Sequence, residues 1–346
     1  RRADIRKLNN IRWIHGSILS LDPETIGLFD YISCTGVLHH LADPSAGLKC
    51  LKSVLKPSGA MGILIYAKYG RTGVYQLQKL MRLINRDETD MPHKIANTRR
   101  VLQELPQSNW FRHNEEFLSD HKNLGDSGLV DLLLPEQDVA YSIEEVHALL
   151  AQAGLHLVEF TDVRLRMSYR PERYVRDQVL LQKIAGLDRV TQQGIAELLV
   201  GLFTKHMFYA SCTTDSQALL DDLSDIPFFF PVRQYRLMGQ QIAEAMRQRP
   251  QALIPLRHAS GFEFDVLSEP VSAAIFRHLD GKRDWRQIFG LARVEITDLR
   301  LSDQELLESF RPVFEQFRQF DWLLLRAASV GEFPDTLDLQ ARSESR

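Results

Sequence analysis

The feature that most constrains this chain is the run of residues 29–67, in which two apolar strand-like segments flank one amphipathic segment. Residues 29–34 (FDYISC) read as a strand and are followed by Thr35-Gly36. Residues 48–55 carry helical spacing of apolar side chains and stop at Lys56-Pro57-Ser58-Gly59, a strong breaker. Residues 61–67 (MGILIYA) are nearly all apolar, as a strand buried on both faces requires. Strands alternating with a helix at this spacing predict a parallel sheet with crossovers. In an open parallel sheet ligands bind outside the carboxyl ends of the strands. Cys34, Thr35 and Gly36 fall at such an end, and Gly36 lets the backbone approach a ligand closely.

The flanking sequence extends this pattern. Residues 11–15 (IRWIH) form a short strand-like run closed by Gly16-Ser17. Residues 74–84 spell an amphipathic helix, and polar stretches at 85–93 and 119–128 make residues 70–136 an insertion. Ser142, with Glu145 three residues on, is a capping-box pattern that opens a helix ending at Ala153-Gly154. Residues 155–163 and 205–212 read as strands, with helical segments across 171–200 between them.

Residues 216–231 read as a linker, and a separate unit follows at 232–328. It contains a candidate hairpin (252–256 with 261–266), helices at 271–279, 285–292 and 302–320, and a short strand at 322–325. Residues 329–346 are polar and read as a disordered tail.

Composition narrows the function. A net charge of −3 gives no global footprint for nucleic acid or an anionic membrane. No apolar run reaches the roughly 18–20 residues a membrane helix needs. The three cysteines, Cys34, Cys50 and Cys212, are too few and too scattered for a disulfide framework or zinc knuckle, which fits a reducing cytoplasm. His93, His113 and His121 lack ligand-like spacing, so no metal is assigned. Residues 1–6 (RRADIR) read like the middle of a helix, and the sequence is expected to start partway through a gene product.

The stretch FDYISCTGVLHHLADPSAGLKCLKSVLKPSG, residues 29–59, resembles class I S-adenosylmethionine (SAM)-dependent methyltransferases of the ubiquinone-biosynthesis and small-molecule type. The resemblance makes it the fourth strand, its cofactor-facing tip, the next helix and the turn into the fifth strand. It implies that main-chain groups at Cys34, Thr35 and Gly36 meet the methionine end of SAM, with His40 close by. Residues 11–17 resemble the third strand. There the family follows Gly with an acidic residue that accepts from the adenine amine, whereas this chain has Gly16-Ser17. Ser17 keeps one hydroxyl for that contact, and Ile18 offers its amide and an apolar face.

Tyr66, Tyr69 and Arg71 follow the fifth strand, where the family's substrate side opens; an ordinary strand end explains them equally well. Adjacent His39 and His40 point apart on a helix, and packing explains His39 without chemistry. No catalytic base is assigned, because the sulfonium is already activated and the protein mainly aligns the acceptor. Between residues 68 and 112 nine Lys and Arg face four acids, which reads as a solvated helix face and leaves RNA open as an acceptor.

The expected fold is therefore α/β: a partial Rossmann-like methyltransferase sheet (strands three to seven of the family order 3-2-1-4-5-7-6) over residues 1–215, with helical insertions, then a small α+β unit. Residues 270–288 (PVSAAIFRHLDGKRDWRQI) resemble winged-helix modules of peptide-chaperone proteins, which implies a protein partner. No Gly-x-Gly run occurs, so this chain is expected to carry half a SAM site, with strands one and two and the glycine loop ahead of residue 1. The expected function is methyl transfer from SAM to a small molecule or peptide. The alternatives are an RNA methyltransferase and a non-catalytic binding protein of the same fold.

Overall fold

The computed structural model describes residues 2–161, 168–214, 216, 218–230, 237–257, 263–318 and 321–332. Expectations for residues 162–163, 231–236, 258–262, 319–320 and 333–346 lie outside the described residues. The chain divides into two compact units, Arg1–Ser216 and Gln217–Arg346. Among the described residues no helix is long and apolar enough to cross a membrane.

The first unit is built on a mixed sheet. Strand β1 (Phe29–Thr35) runs parallel to β2 (Leu55–Ala67), and helix Pro44–Ser53 makes the crossover. The two-residue β3 (Ala140–Tyr141) continues parallel to the end of β2. Beyond β2 lie β5 (Lys205–Ser211), antiparallel to both neighbours, and β4 (His156–Phe160). The path β1-β2-β5-β4 corresponds to the expected order 4-5-7-6. Leu48, Leu51, Met61, Ile63, Ile65, Ile143, Val146 and Phe208 are among the buried side chains that fill its core.

Residues 11–15 are strand-like in sequence and have no partner strand to pair with among the described residues. They form no strand; Trp13 is 78% and Ile14 55% exposed, because nothing described here lies beside them to accept their backbone bonds. The outer edge of β1 is unpaired among the described residues. The Lys56-Pro57-Ser58-Gly59 breaker also behaves differently from expectation. The crossover helix ends at Ser53, and these four residues lie inside β2 as a bulge: Phe29 pairs with Leu55, but Tyr31 pairs with Ala60. Pro57 has no N–H to give the ladder, and a bulge is where a strand accommodates that loss.

The insertion is helical. Helices Thr72–Ile84, Met91–Glu104, Trp110–Asn114 and Gly125–Leu133 pack around Val74, Leu77, Leu105, Phe111, Leu118 and Leu132. Gly73 permits this packing, since a Cβ there would stand 2.2 Å from Phe111 N and 2.5 Å from Trp110 C. Those are backbone atoms, which cannot swing aside as a side-chain tip can. Gly73→Ala is therefore expected to destabilise the first unit by about 3 kcal/mol, the upper part of the usual overpacking range. Urea unfolding checks this, and a loss below about 1 kcal/mol would mean that the helices separate easily.

Ser142 caps helix Ile143–Gln152 with the reciprocal Glu145 contact, and Gly154 ends it at φ +67°. Behind the cap, Glu197 accepts from Ile143 N at 3.0 Å. Its other oxygen lies 3.1 Å from His206 Nε2, which is also 3.0 Å from the Tyr141 carbonyl. The His206 Nδ1 meets the Tyr169 hydroxyl at 3.0 Å. Polar groups of these five residues thus tie β5, β3 and two helices together in an apolar surround of Phe160 and Phe203.

The second unit contains helices Met238–Gln248, Pro270–His278, Trp285–Glu295 and Asp303–Arg318, with two small antiparallel sheets among its described residues. One joins β7 (Leu253–Arg257) and β8 (Glu263–Leu267); the other joins β6 (Ile226–Phe229) and β9 (Leu323–Arg326). Strand β6 lies within the segment read as a linker. Its Ile-Pro-Phe-Phe sequence packs rather than spans, with Phe229 against Phe276 and Phe317. Gly281 takes φ +74°, and the Asp280 carboxylate accepts from Lys282 N and Arg283 N to close the turn. Trp285, Phe276, Phe289, Phe310, Phe314, Phe317 and Trp322 make an aromatic core, each at most 1% exposed.

Candidate functional site

The carboxyl end of β1 is open. Gly36 takes φ +72°, and a Cβ added there would meet nothing within 4 Å. Its N–H is spent on the Leu64 carbonyl at 3.2 Å, so the carbonyl and the flanking Thr35 face outward. The Thr35 hydroxyl sits 3.5 Å from Ser33 Oγ. Cys34 instead points into the core, 4% exposed, where burial pushes its thiol up to about 11. Of the Cys34-Thr35-Gly36 trio, side-chain chemistry at the open end is thus left to Thr35, with Gly36 supplying bare backbone.

Gly16, Ser17 and Ile18 reach the same end of the sheet. Ser17 caps the short turn Ile18–Ser20 by accepting from Leu19 N at 3.2 Å, and retains its own O–H to donate. Ile18 packs down onto the crossover helix at Gly47. A Cβ on Gly47 would stand 2.4 Å from Leu41, 3.1 Å from Leu38 and 3.6 Å from Ile18. One glycine thereby draws the loop after residue 16 and the loop after β1 together. Gly16 itself stands in open space.

The turn Leu38–His40 then passes beneath residues 137–141. His40 Nδ1 lies 3.1 Å from the Gln137 carbonyl, Gln137 Nε2 donates to the Leu41 carbonyl at 3.0 Å, and Val139 N donates to the His39 carbonyl at 3.1 Å. His39 is fully buried. Its ring stacks on Tyr66 at 3.7 Å and meets His40 edge-on at 4.4 Å. Neither ring nitrogen has a hydrogen-bond partner, and burial, with the neighbouring His40, pulls its pKa down to about 4.

On the other face of Tyr66 lies the Arg71 guanidinium, 3.5 Å from the ring centroid. Arg71 pairs with Asp138 at 3.0 Å, both side chains at most 3% exposed. Asp138 also accepts from the Tyr75 hydroxyl at 3.1 Å and Gln78 Nε2 at 3.1 Å. Of the three residues placed on the substrate side, Tyr66 and Arg71 are thus brought into one internal stack, while Tyr69 stays at the surface, 37% exposed. Asp138, Gln78 and Tyr75 carry no motif; only the fold brings an extended loop's carboxylate onto a helix 60 and 63 residues earlier in the chain. Beside this stack a cavity of about 360 Å³ lies between Asp43, Pro44, Tyr141, Glu145 and Leu149. Burial and the carboxylates of Glu145 and Asp43 push the Tyr141 hydroxyl up to about 12.

Comparison with known proteins agrees with this geometry. Residues 1–61 match the family model described as Methyltransferase domain. Among solved structures, PKMT2 from Rickettsia typhi matches 94% of this chain and 63% of its own, with a TM-score of 0.59 at 14% identity. PKMT2 in complex with AdoHcy matches with a TM-score of 0.57 at 15% identity, over 94% of this chain and 64% of that one. The chain shares their fold. An uncharacterised protein of Synechococcus sp. is 30% identical over 215 residues, 62% of this chain. The chain spans about half, 51%, of that curated relative's length.

Proposed function

We propose that this chain carries one half of the site of a SAM-dependent methyltransferase whose acceptor is a small molecule or a peptide. The observation that carries the reading is the open end of β1, with Gly36 at φ +72°, in a sheet of order β1-β2-β5-β4. The Methyltransferase domain match over residues 1–61 and the AdoHcy complex of the similarly folded PKMT2 support it.

In this reading the main chain at Thr35-Gly36 meets the methionine end of SAM. Ser17 Oγ and the Ile18 face meet the adenine, and His40 stands beside the methionine. SAM supplies the activated methyl group. The chain's own residues orient donor and acceptor and keep water out, which accounts for much of such a rate enhancement. The unpaired edge of β1 is where strands carrying a glycine-rich loop would complete the site. The second unit, with its turn at Asp280-Gly281, would bind a protein or peptide and not SAM.

Calorimetry with SAM tests this. The intact gene product is expected to bind at low-micromolar affinity, and residues 1–346 alone at least about tenfold more weakly, because the amides that hold the cofactor tail are missing. Absence of binding to the intact product would sink the methyltransferase reading. Equal binding by residues 1–346 would sink the half-site.

A further inference from the structure

We propose that His39 is the group that takes the proton from the methyl acceptor, and that residues 137–139 form a strap covering it until the acceptor enters. The inference rests on the methyltransferase reading above and adds a catalytic residue and its cover.

Three observations lead there. First, His39 is fully buried, yet neither ring nitrogen has a hydrogen-bond partner. A buried imidazole left without partners is costly, and such a group persists where something else is meant to meet it. Second, its place is the turn directly after the open end of β1, one residue before His40, stacked on Tyr66 at the end of β2. A methyl acceptor approaching from that side of the sheet reaches this ring. Third, the cover is a short extended segment held by hydrogen bonds of Gln137 and Val139 to the turn beneath it and by one buried side chain. Gln137 and Val139 face solvent, while Asp138 turns inward to Arg71, Tyr75 and Gln78. Releasing Asp138 would leave the strap on the Gln137 and Val139 hydrogen bonds alone, which exchange with water, and opening them would let water reach His39.

The chemistry balances. A lone pair on the acceptor atom forms the new bond to the methyl carbon as the carbon–sulfur pair returns to sulfur. The acceptor's proton passes to a His39 ring nitrogen and from there to solvent. Under the strap His39 is a poor base; the charged or titratable groups facing it are His40 from its own turn, Tyr66 from β2, Arg71 from the start of the insertion, and Asp138 from the strap. Hydration on opening removes the largest cause of its lowered pKa, so its proton affinity rises when the acceptor is present.

Two measurements test this. In residues 1–346 with labelled histidine, NMR titration should show His39 titrating near pH 4; Asp138→Asn removes a carboxylate that by itself raises the His39 pKa, so a rise of at least about one unit in that variant reports hydration of the ring, and a fall would overturn the proposal. In the intact gene product, given methyl-tritiated SAM and an extract of the producing cells, His39→Asn should lower methyl incorporation roughly 100-fold or more, with SAM affinity and melting temperature unchanged. Incorporation by His39→Asn within about threefold of the parent, a His39 titration that Asp138→Asn leaves unmoved, or a His39→Asn loss that follows SAM affinity or melting temperature would each overturn the proposal. A parent protein that neither binds SAM nor transfers methyl would instead overturn the reading on which it rests.

Discussion

Glu197→Ala is expected to destabilise the first unit by about 3–5 kcal/mol. The carboxylate is fully buried and serves two masters at once: it accepts from Ile143 N at the start of a core helix, and it faces His206 Nε2 at 3.1 Å. Alanine orphans the Ile143 N–H, removes the carboxylate facing His206, which keeps its Tyr141 and Tyr169 contacts, and leaves a void in the core. Each of the first two losses is worth about 1–3 kcal/mol. Glu197→Gln keeps an acceptor for Ile143 N and should cost well under half as much. Urea denaturation of the two variants side by side decides the matter, and equal losses would mean that volume, not the acceptor, is what the site needs.

Trp285→Ala is expected to cost the second unit about 3–5 kcal/mol, the usual range for emptying a large aromatic site. The indole stacks on Phe289 at 5.5 Å and meets Phe310 and Phe314 edge-on at 5.9 and 6.0 Å. Its N–H has no hydrogen-bond partner, so Trp285→Phe sacrifices contact area but no polar interaction and should cost much less. Calorimetric melting makes the comparison informative about the whole chain. If the units Arg1–Ser216 and Gln217–Arg346 fold independently, Trp285→Ala lowers one transition and leaves the other where it was. A common shift of both would show that the two are energetically one.

Local chemistry was what the amino-acid sequence displayed most clearly. Ser142 and Glu145 needed only each other to announce a helix start, and residues 61–67 could bury both faces only as a central strand. The turn at Asp280-Gly281 was equally plain, because a carboxylate accepting from the next two amides and a glycine at positive φ are short-range effects. What stayed hidden depends on partners distant in the chain. Residues 226–229 looked like a linker because two of their strand-making contacts, to β9 and to Phe276, lie fifty to a hundred residues away. At the candidate site, the motif puts Gly36 just past the end of a strand, which is where β1 stops. The stack of His39, Tyr66 and Arg71 could not be placed from it, since Asp138 reaches it from a loop with no pattern of its own.

The rim of β1, unpaired among the described residues, has a practical consequence. It offers a row of bare N–H and C=O groups, with Phe29 40% and Tyr31 52% exposed beside it. Such a rim is a template on which any extended peptide can add itself, including the same strand from another copy. Residues 1–346 handled alone therefore carry a built-in route to self-association, whose driving force is backbone pairing and not loss of the native fold. Supplying a strand that occupies the rim should restore solubility, whether or not it also restores chemistry.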